Sequence, residues 1–326
     1  MQHFVRTQDF PREDLDRILF HARNIQVMVE TGKKKKLKRR LKGKTVSIVF
    51  WEASTRTSKS FIAAGNLLGA TVDFTADAGI TSSAVKGETF EHTIRMLAGY
   101  GPDVLVIRHK EQGRLAEAAR IVDHFRYKTC IVNAGDGPGQ HPTQALLDLY
   151  TIKQELGRIG HIRIMMGGDL LNGRTVRSLA YLLSKYRDVE IVFAAPDELQ
   201  ISSDILNHLT ETGVKWSQIG ENFREHLPRM HAVYWTRLQM ERITDASLRE
   251  RLQVVQKEKF CIDIKELALM RPDSILMHPL PINSEVREIS AAAEQDYRCV
   301  MIRQAENGLW VRAALLDILV NGWPNY

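Results

Sequence analysis

The chain is poor in the features that would place it in several large classes of protein. Its 326 residues hold no apolar run near the ~18 residues that span a bilayer, so no membrane segment is expected. Only three cysteines occur, Cys130, Cys261 and Cys299. Scattered as they are, they suggest neither a disulfide framework nor a metal cluster, and they suit a reducing cytoplasm. The opening residues 1–14 carry acidic groups early and no apolar stretch, so a secretory signal is not expected. Repeats, low-complexity linkers and a long disordered tail are absent. So is the G-x-x-x-x-G-K-[ST] phosphate loop, and the glycine turn Gly167–Gly173 lacks the G-x-G-x-x-G spacing of a dinucleotide site. No metal-ligand cluster and no cofactor is indicated.

Excess charge is nearly lacking too. Forty-five basic residues face 39 acidic ones, a net +6, and the window Lys33–Lys44 alone holds nine basic residues and no acidic one. Without that window the balance would be −3 (six less nine). A phosphate-rich partner is one use for such a run. No aromatic side chain interleaves it, as a single-strand binder would want, so it reads as a solvated loop between the first helix and the first strand. Neither nucleic acid nor membrane is expected as a partner.

The length, with 44% hydrophobic and 26% charged residues, fits a soluble protein of two ordinary domains. Leu15, Ile18, Leu19, Ala22, Ile25 and Met28 recur at helical spacing and give residues 12–30 one buried face. The short apolar runs Val46–Phe50, Val104–Ile107 and Cys130–Val132 resemble buried parallel strands, with helical stretches such as Ser58–Leu68 and Thr89–Gly99 between them. A second set follows at Ile162–Met166, Val189–Ala194, Ala232–Trp235 and Ile275–Met277. Strand–helix alternation predicts an α/β fold of two doubly wound parallel-sheet domains joined by interdomain helices. Pro142–Leu156, with proline at its first position, is the expected bridge. The domains are expected at 1–142 and 143–307, with a last helix in 308–326 (apolar over Val311–Val320) packing back on the first.

Ligands of open parallel sheets sit at the carboxyl ends of strands. The first such loop runs Trp51–Phe61 and offers Ser54, Thr55, Arg56 and Thr57 beside the free N–H groups of a starting helix, a natural anion site. A plain hydroxyl helix cap would use the same residues. The second loop offers Arg108, His109 and Lys110, which suit either the same ligand or a nearby carboxylate. The third is rich in glycine and ends in His141-Pro142-Thr143-Gln144. His141 and Gln144, three apart at a helix start, project on one face and suit a small polar ligand such as a carbamoyl group.

S-T-R-T-x-x-S-F, R-H and H-P-T-Q, in this order and spacing, resemble the carbamoyl-phosphate half of the aspartate/ornithine carbamoyltransferases, as does Val85-Lys86-Gly87-Glu88-Thr89. The likeness spans nearly the whole chain. Gly168–Val176 and Tyr234–Arg242 resemble the aspartate branch of that family. His-Pro-Leu-Pro at residues 278–281 stands where the ornithine branch typically has His-Cys-Leu-Pro. Two arginines also suit a dicarboxylate and would repel the cationic side chain of ornithine.

The resemblance implies that Ser54, Thr55, Arg56 and Thr57 hold the phosphate of carbamoyl phosphate, and that Thr57, Arg108 and His141 polarise the carbamoyl oxygen. Gln144 and the carbonyls of Pro279 and Leu280 would hold the carbamoyl amide, while Arg174, Arg237 and Gln239 clamp L-aspartate. Ser82 and Lys86 would reach a neighbouring subunit's site, which implies a homotrimer; regulatory subunits are left open. The chain departs from the family pattern at Ala53, at Ser58, at Val85 and at Ile282, where arginine is usual. Three other readings stand beside this one: a different amine acceptor, a weakened paralogue suggested by Ile282, and a nucleic-acid binder using Lys33–Lys44.

Overall fold

A computed structural model of the chain describes residues 3–78, 87–282 and 287–324. The chain divides into two compact units. The first comprises residues 1–147 and 306–326, the second residues 148–305. The division falls inside the helix α6 (Pro142–Leu156) and again inside the last helix α11 (Met301–Asn321). The boundary expected after residue 142 lies at the start of α6, a little ahead of this division. The last helix is longer than its apolar run Val311–Val320, because its first two turns carry polar residues such as Arg303, Gln304 and Glu306.

Unit 1 is built on β1 (Thr45–Phe50), β2 (Thr71–Thr75), β3 (Val104–His109) and β4 (Cys130–Asp136), all parallel, in the order β2-β1-β3-β4. Helices α1 (Arg12–Glu30), α2 (Lys34–Leu37), α3 (Thr55–Leu68), α4 (Phe90–Gly99) and α5 (Arg114–His124) belong to it, with the start of α6 and most of α11. Every residue of β3 is buried, as a central strand covered on both faces should be. The strand order reverses after β2, so the chain has its switch point between β1 and β3.

Unit 2 repeats the plan with five parallel strands in the order β7-β6-β5-β8-β9. They are β5 (Ile162–Gly167), β6 (Val189–Ala194), β7 (Lys215–Ile219), β8 (Ala232–Trp235) and β9 (Ile275–Met277). Between them lie α7 (Arg174–Leu183), α8 (Ser203–Glu211), α9 (Ala246–Glu258) and α10 (Ile264–Leu269). Here the switch point lies between β5 and β8. A core around Met165, Val192, Trp235, Phe260 and Leu276 closes one face, and Ile282 packs against it.

Two strands escape the apolar-run criterion. β2 (TVDFT) and β7 (KWSQI) are edge strands, largely exposed, so they carry polar residues at most positions. The basic run also departs from the solvated loop expected of it. Leu37 and Leu41 are buried, and the Leu41 N–H donates to the Leu68 carbonyl at 2.9 Å. The Arg40 Nε donates to Asp317 at 2.9 Å, and Lys44 pairs with Asp103 at 3.0 Å. Lys33–Lys36, Lys38, Arg39 and Lys42 remain exposed on this anchored segment.

Candidate active site

In unit 1 the loops after β1, β3 and β4 come together at the carboxyl edge, flanking the switch point. Backbone bonds tie them: the Trp51 N–H donates to the Arg108 carbonyl at 2.8 Å, and the Gly137 N–H to the His109 carbonyl at 2.8 Å. Helix α3 begins at Thr55, with Ser54 as its extended N-cap. The hydroxyl motif is therefore itself the first turn, where backbone N–H groups lack helical partners. Ser54 Oγ donates to Thr57 Oγ1 at 2.9 Å, and the Ser54 carbonyl accepts from the Ser58 N–H at 3.0 Å. Thr57 is buried, whereas Thr55 and Arg56 are exposed. Burial of part of the Arg56 side chain pulls its guanidinium below the usual arginine pKa. Among the described residues no carboxylate is seen paired with it.

Arg108, near the end of β3, is buried. One terminal nitrogen donates to the Ala134 carbonyl at 3.1 Å and the other meets Glu52 Oε2 at 2.7 Å. Its neighbour His109 serves packing: the ring lies 5.5 Å from Trp51 and 5.4 Å from Phe90. Its Nδ1 accepts from the Glu111 N–H at 3.0 Å, and burial lowers its pKa. The glycine-rich loop proves to make room for a side chain as well as to turn. A Cβ on Gly135, whose φ is +137°, would sit 2.5 Å from the Arg108 guanidinium. Asn133 shapes this turn by accepting from the Gly135 N–H at 2.7 Å. His141 is buried at the start of α6, its carbonyl accepting from the Gln144 N–H at 3.0 Å, and Gln144 is half-buried one turn on.

Unit 2 brings a second group of residues to its own carboxyl edge. Arg174 opens α7 after β5; Arg237 and Gln239 follow β8; Pro279 and Leu280 follow β9; all five are half-buried. The Gly167–Gly173 turn is explained by packing. A Cβ on Gly167 would meet the Trp235 ring at 2.1 Å, and one on Gly168 (φ +104°) the Thr236 carbonyl oxygen at 2.0 Å. Leu280 holds a left-handed φ of +55°, which costs a non-glycine residue about 1 kcal/mol or more. Its N–H donates to His278 Nδ1 at 2.9 Å.

Sequence reasoning passed over the buried groups behind these side chains. Asp169 is wholly buried and accepts from the Asn172 N–H at 2.9 Å and the Gln239 N–H at 3.1 Å, joining the loops after β5 and β8. Burial raises its pKa against those hydrogen bonds. Asp148, Tyr234, His278 and Gln304 form another buried set. An acidic residue directly after a strand-end glycine pair was the one visible sign of Asp169. Ser82, Lys86 and Val85 lie outside the described residues.

Residues 2–154 match the model of the aspartate/ornithine carbamoyltransferase carbamoyl-P binding domain, and residues 160–319 that of the Asp/Orn binding domain. The chain belongs to the aspartate/ornithine carbamoyltransferase family. It is 41% identical over 321 residues to the chloroplastic aspartate carbamoyltransferase of Arabidopsis thaliana, covering 98% of this chain and 78% of the relative. The catalytic subunit of M. jannaschii aspartate transcarbamoylase superposes with a TM-score of 0.85 at 36% identity, over 98% of each chain. Aspartate transcarbamoylase from Trypanosoma cruzi, solved with carbamoyl phosphate and aspartate, gives 0.87 at 35% identity over 97% of this chain and 96% of the other. The family places this chain among the carbamoyltransferases.

Proposed function

We propose that the protein transfers the carbamoyl group of carbamoyl phosphate to the α-amino group of L-aspartate, giving N-carbamoyl-L-aspartate and phosphate. The observation that carries this reading is the pair of strand-end sets. A hydroxyl and guanidinium set flanks one switch point, and two arginines with a glutamine flank the other. Both are where open parallel sheets bind ligands. The first set suits a phosphorylated donor, the second a dicarboxylate.

In this mechanism Ser54, Thr55, Arg56 and Thr57 take the phosphate, aided by the first N–H groups of α3. Thr57, Arg108 and His141 polarise the carbamoyl oxygen and stabilise the oxyanion that forms when the amine attacks. Gln144 and the carbonyls of Pro279 and Leu280 hold the carbamoyl amide. Arg174, Arg237 and Gln239 hold the two carboxylates of aspartate. The C–N bond forms, the C–O bond to phosphate breaks, and the departing phosphate takes the amine proton. Positioning two reactants contributes roughly 7–11 kcal/mol in such a reaction. Each aimed oxyanion donor adds about 2.7–4 kcal/mol.

A colorimetric assay for carbamoyl-aspartate, run in parallel with ornithine, tests the assignment. Turnover with aspartate supports it; turnover with ornithine alone overturns it. Stabilisation by a bisubstrate analogue carrying a phosphonate and two carboxylates gives a check without turnover. A normal rate would also remove the weakened-paralogue reading that Ile282 suggests.

Ser82 and Lys86 complete a neighbour's site in a homotrimer under this proposal. Inactive Lys86→Ala chains mixed with inactive Arg56→Ala chains should regain activity, since one site in the mixed assembly would be whole; no recovery counts against sharing. The three unpaired cysteines support work in the reducing cytoplasm.

A further inference from the structure

Behind the aspartate-side edge of unit 2 lies a chain of buried hydrogen bonds that converges on one carboxylate. Asp148 is fully buried in α6. Its Oδ2 accepts from the Tyr234 hydroxyl at 2.9 Å, and its Oδ1 from Gln304 Nε2 at 2.7 Å. Tyr234, at the penultimate position of β8, also has a side-chain hydrogen bond with Thr175, the residue after Arg174. On the other arm, Gln304 Oε1 accepts from the His278 N–H at 2.9 Å, and His278 Nδ1 accepts from the Leu280 N–H at 2.9 Å. Tyr234, His278 and Gln304 are all buried as well. Burial is the first cause of a tyrosine pKa well above the ordinary value, with Asp148 beside it adding to the rise, so the phenol keeps its proton and remains a donor.

The polarity of these bonds is informative. Leu280 N–H reaches His278 Nδ1, His278 N–H reaches Gln304, and both Gln304 and Tyr234 donate to Asp148. A carboxylate is the side chain that accepts at two oxygens and donates at neither. The three segments tied to it are those that present Arg174, Arg237 with Gln239, and Pro279 with Leu280. We infer that Asp148 is a positioning residue that fixes the three strand-end segments of the aspartate-side edge against one another. It touches no reacting atom. It acts through Tyr234 on the segments of Arg174 and Arg237, and through Gln304 and His278 on the strained Leu280. Most buried carboxylates in a fold are merely satisfied. This one bridges all the substrate-facing segments of its unit, and so its loss should be read in substrate binding.

The inference rests on the carbamoyltransferase reading above and deepens it. The test uses Asp148→Asn, Tyr234→Phe and Gln304→Met in the full chain. In Asp148→Asn the new amide can still accept from Gln304 but must turn its NH2 toward Tyr234, so Asp148→Asn and Tyr234→Phe disturb the same arm. Each is expected to raise the KM for aspartate about tenfold while carbamoyl phosphate affinity changes less than twofold. The double variant should be little worse than either single one, because both break the same bond. Gln304→Met cuts the other arm and is expected to lower kcat about tenfold with the KM for aspartate within about threefold. Wild-type values of both constants in a folded Asp148→Asn chain would overturn the inference. If that chain does not fold, equal and unsplit losses in kcat and both KM values for Tyr234→Phe and Gln304→Met would overturn it instead. Absence of carbamoyl-aspartate from the unaltered enzyme would sink the underlying reading, and the inference with it.

Discussion

The two carboxyl edges solve the same problem, holding charged side chains still, by different means. In unit 1 the groups proposed to meet the phosphate lie in one stretch, Ser54–Thr57, and the start of α3 orients them locally. Arg108, the buried cation proposed to face the carbamoyl oxygen, is held by a backbone carbonyl and the nearby Glu52. In unit 2 the groups come from three separate strand ends, and buried carboxylates set between those ends hold them in register: Asp169 between the loops after β5 and β8, and Asp148 behind all three. Local geometry orients the Ser54–Thr57 turn of the first edge; long-range buried hydrogen bonds orient the second. A substitution in unit 1 should therefore act directly on chemistry, and one in the support of unit 2 should act through binding and stability.

The strongest way to break that comparison is Arg108→Met. The side chain is proposed to face the developing oxyanion, so its loss should lower kcat by roughly 10²–10³. Steady-state kinetics with both substrates saturating checks this. A loss below tenfold would mean that unit 1 does not work by direct contact.

Two glycines sharpen the comparison at a smaller scale. In Gly168→Ala the new methyl would meet a backbone oxygen at 2.0 Å in a left-handed conformation. Backbone strain of this kind costs on the order of 1–3 kcal/mol, and the rigid neighbour adds to it. Its Tm should fall by several degrees and the KM for aspartate should rise. In Gly135→Ala the methyl would press on the Arg108 guanidinium at 2.5 Å, which can move aside. That variant should lose less stability than Gly168→Ala but should lose kcat, about tenfold. Calorimetry and kinetics on the pair decide; identical profiles would show that the two edges share one kind of support.

The same contrast explains what could be read from the amino-acid order. The central strands were legible because both their faces are buried, and the unit 1 motif because its residues are contiguous in one helical turn. β2 and β7 were not, since edge strands need few apolar positions. Asp148 and Tyr234 were invisible for another reason. They stand 86 positions apart, and nothing in either local pattern says that a helix and a strand will meet there. The anchoring of the basic run through Arg40 and Asp317 spans 277 positions and was missed likewise. Only pairings that recur at a short period, or that sit in one loop, leave a trace along the chain.

The smallest expected effect contrasts two buried carboxylates by the sign of their pH dependence. Burial is the largest influence on Asp317 and pushes its pKa up, but hydrogen bonds from His21, Arg40 and Asn321 outweigh it and hold the group below its usual range. The folded state then binds the proton more weakly than the unfolded chain. Asp317 stabilises the fold above the ordinary Asp pKa of about 3.9, and this stability is lost as pH falls through the depressed folded value. For Asp169 burial wins over the bonds from Asn172 and Gln239 and raises the pKa. Its folded form binds the proton more tightly, so stability declines as pH rises from about 3.9 through the elevated folded value and is level beyond. Urea midpoints of the unaltered protein, Asp317→Asn and Asp169→Asn should be measured from about pH 3 to 7. The gap between the unaltered protein and Asp317→Asn should widen with rising pH, because the variant has lost a group that prefers to be charged. The corresponding difference for Asp169→Asn should move the opposite way over the acidic range. Parallel curves would mean that both carboxylates are satisfied in the same manner, and the distinction between a buried carboxylate that favours its charge and one that resists it would fail.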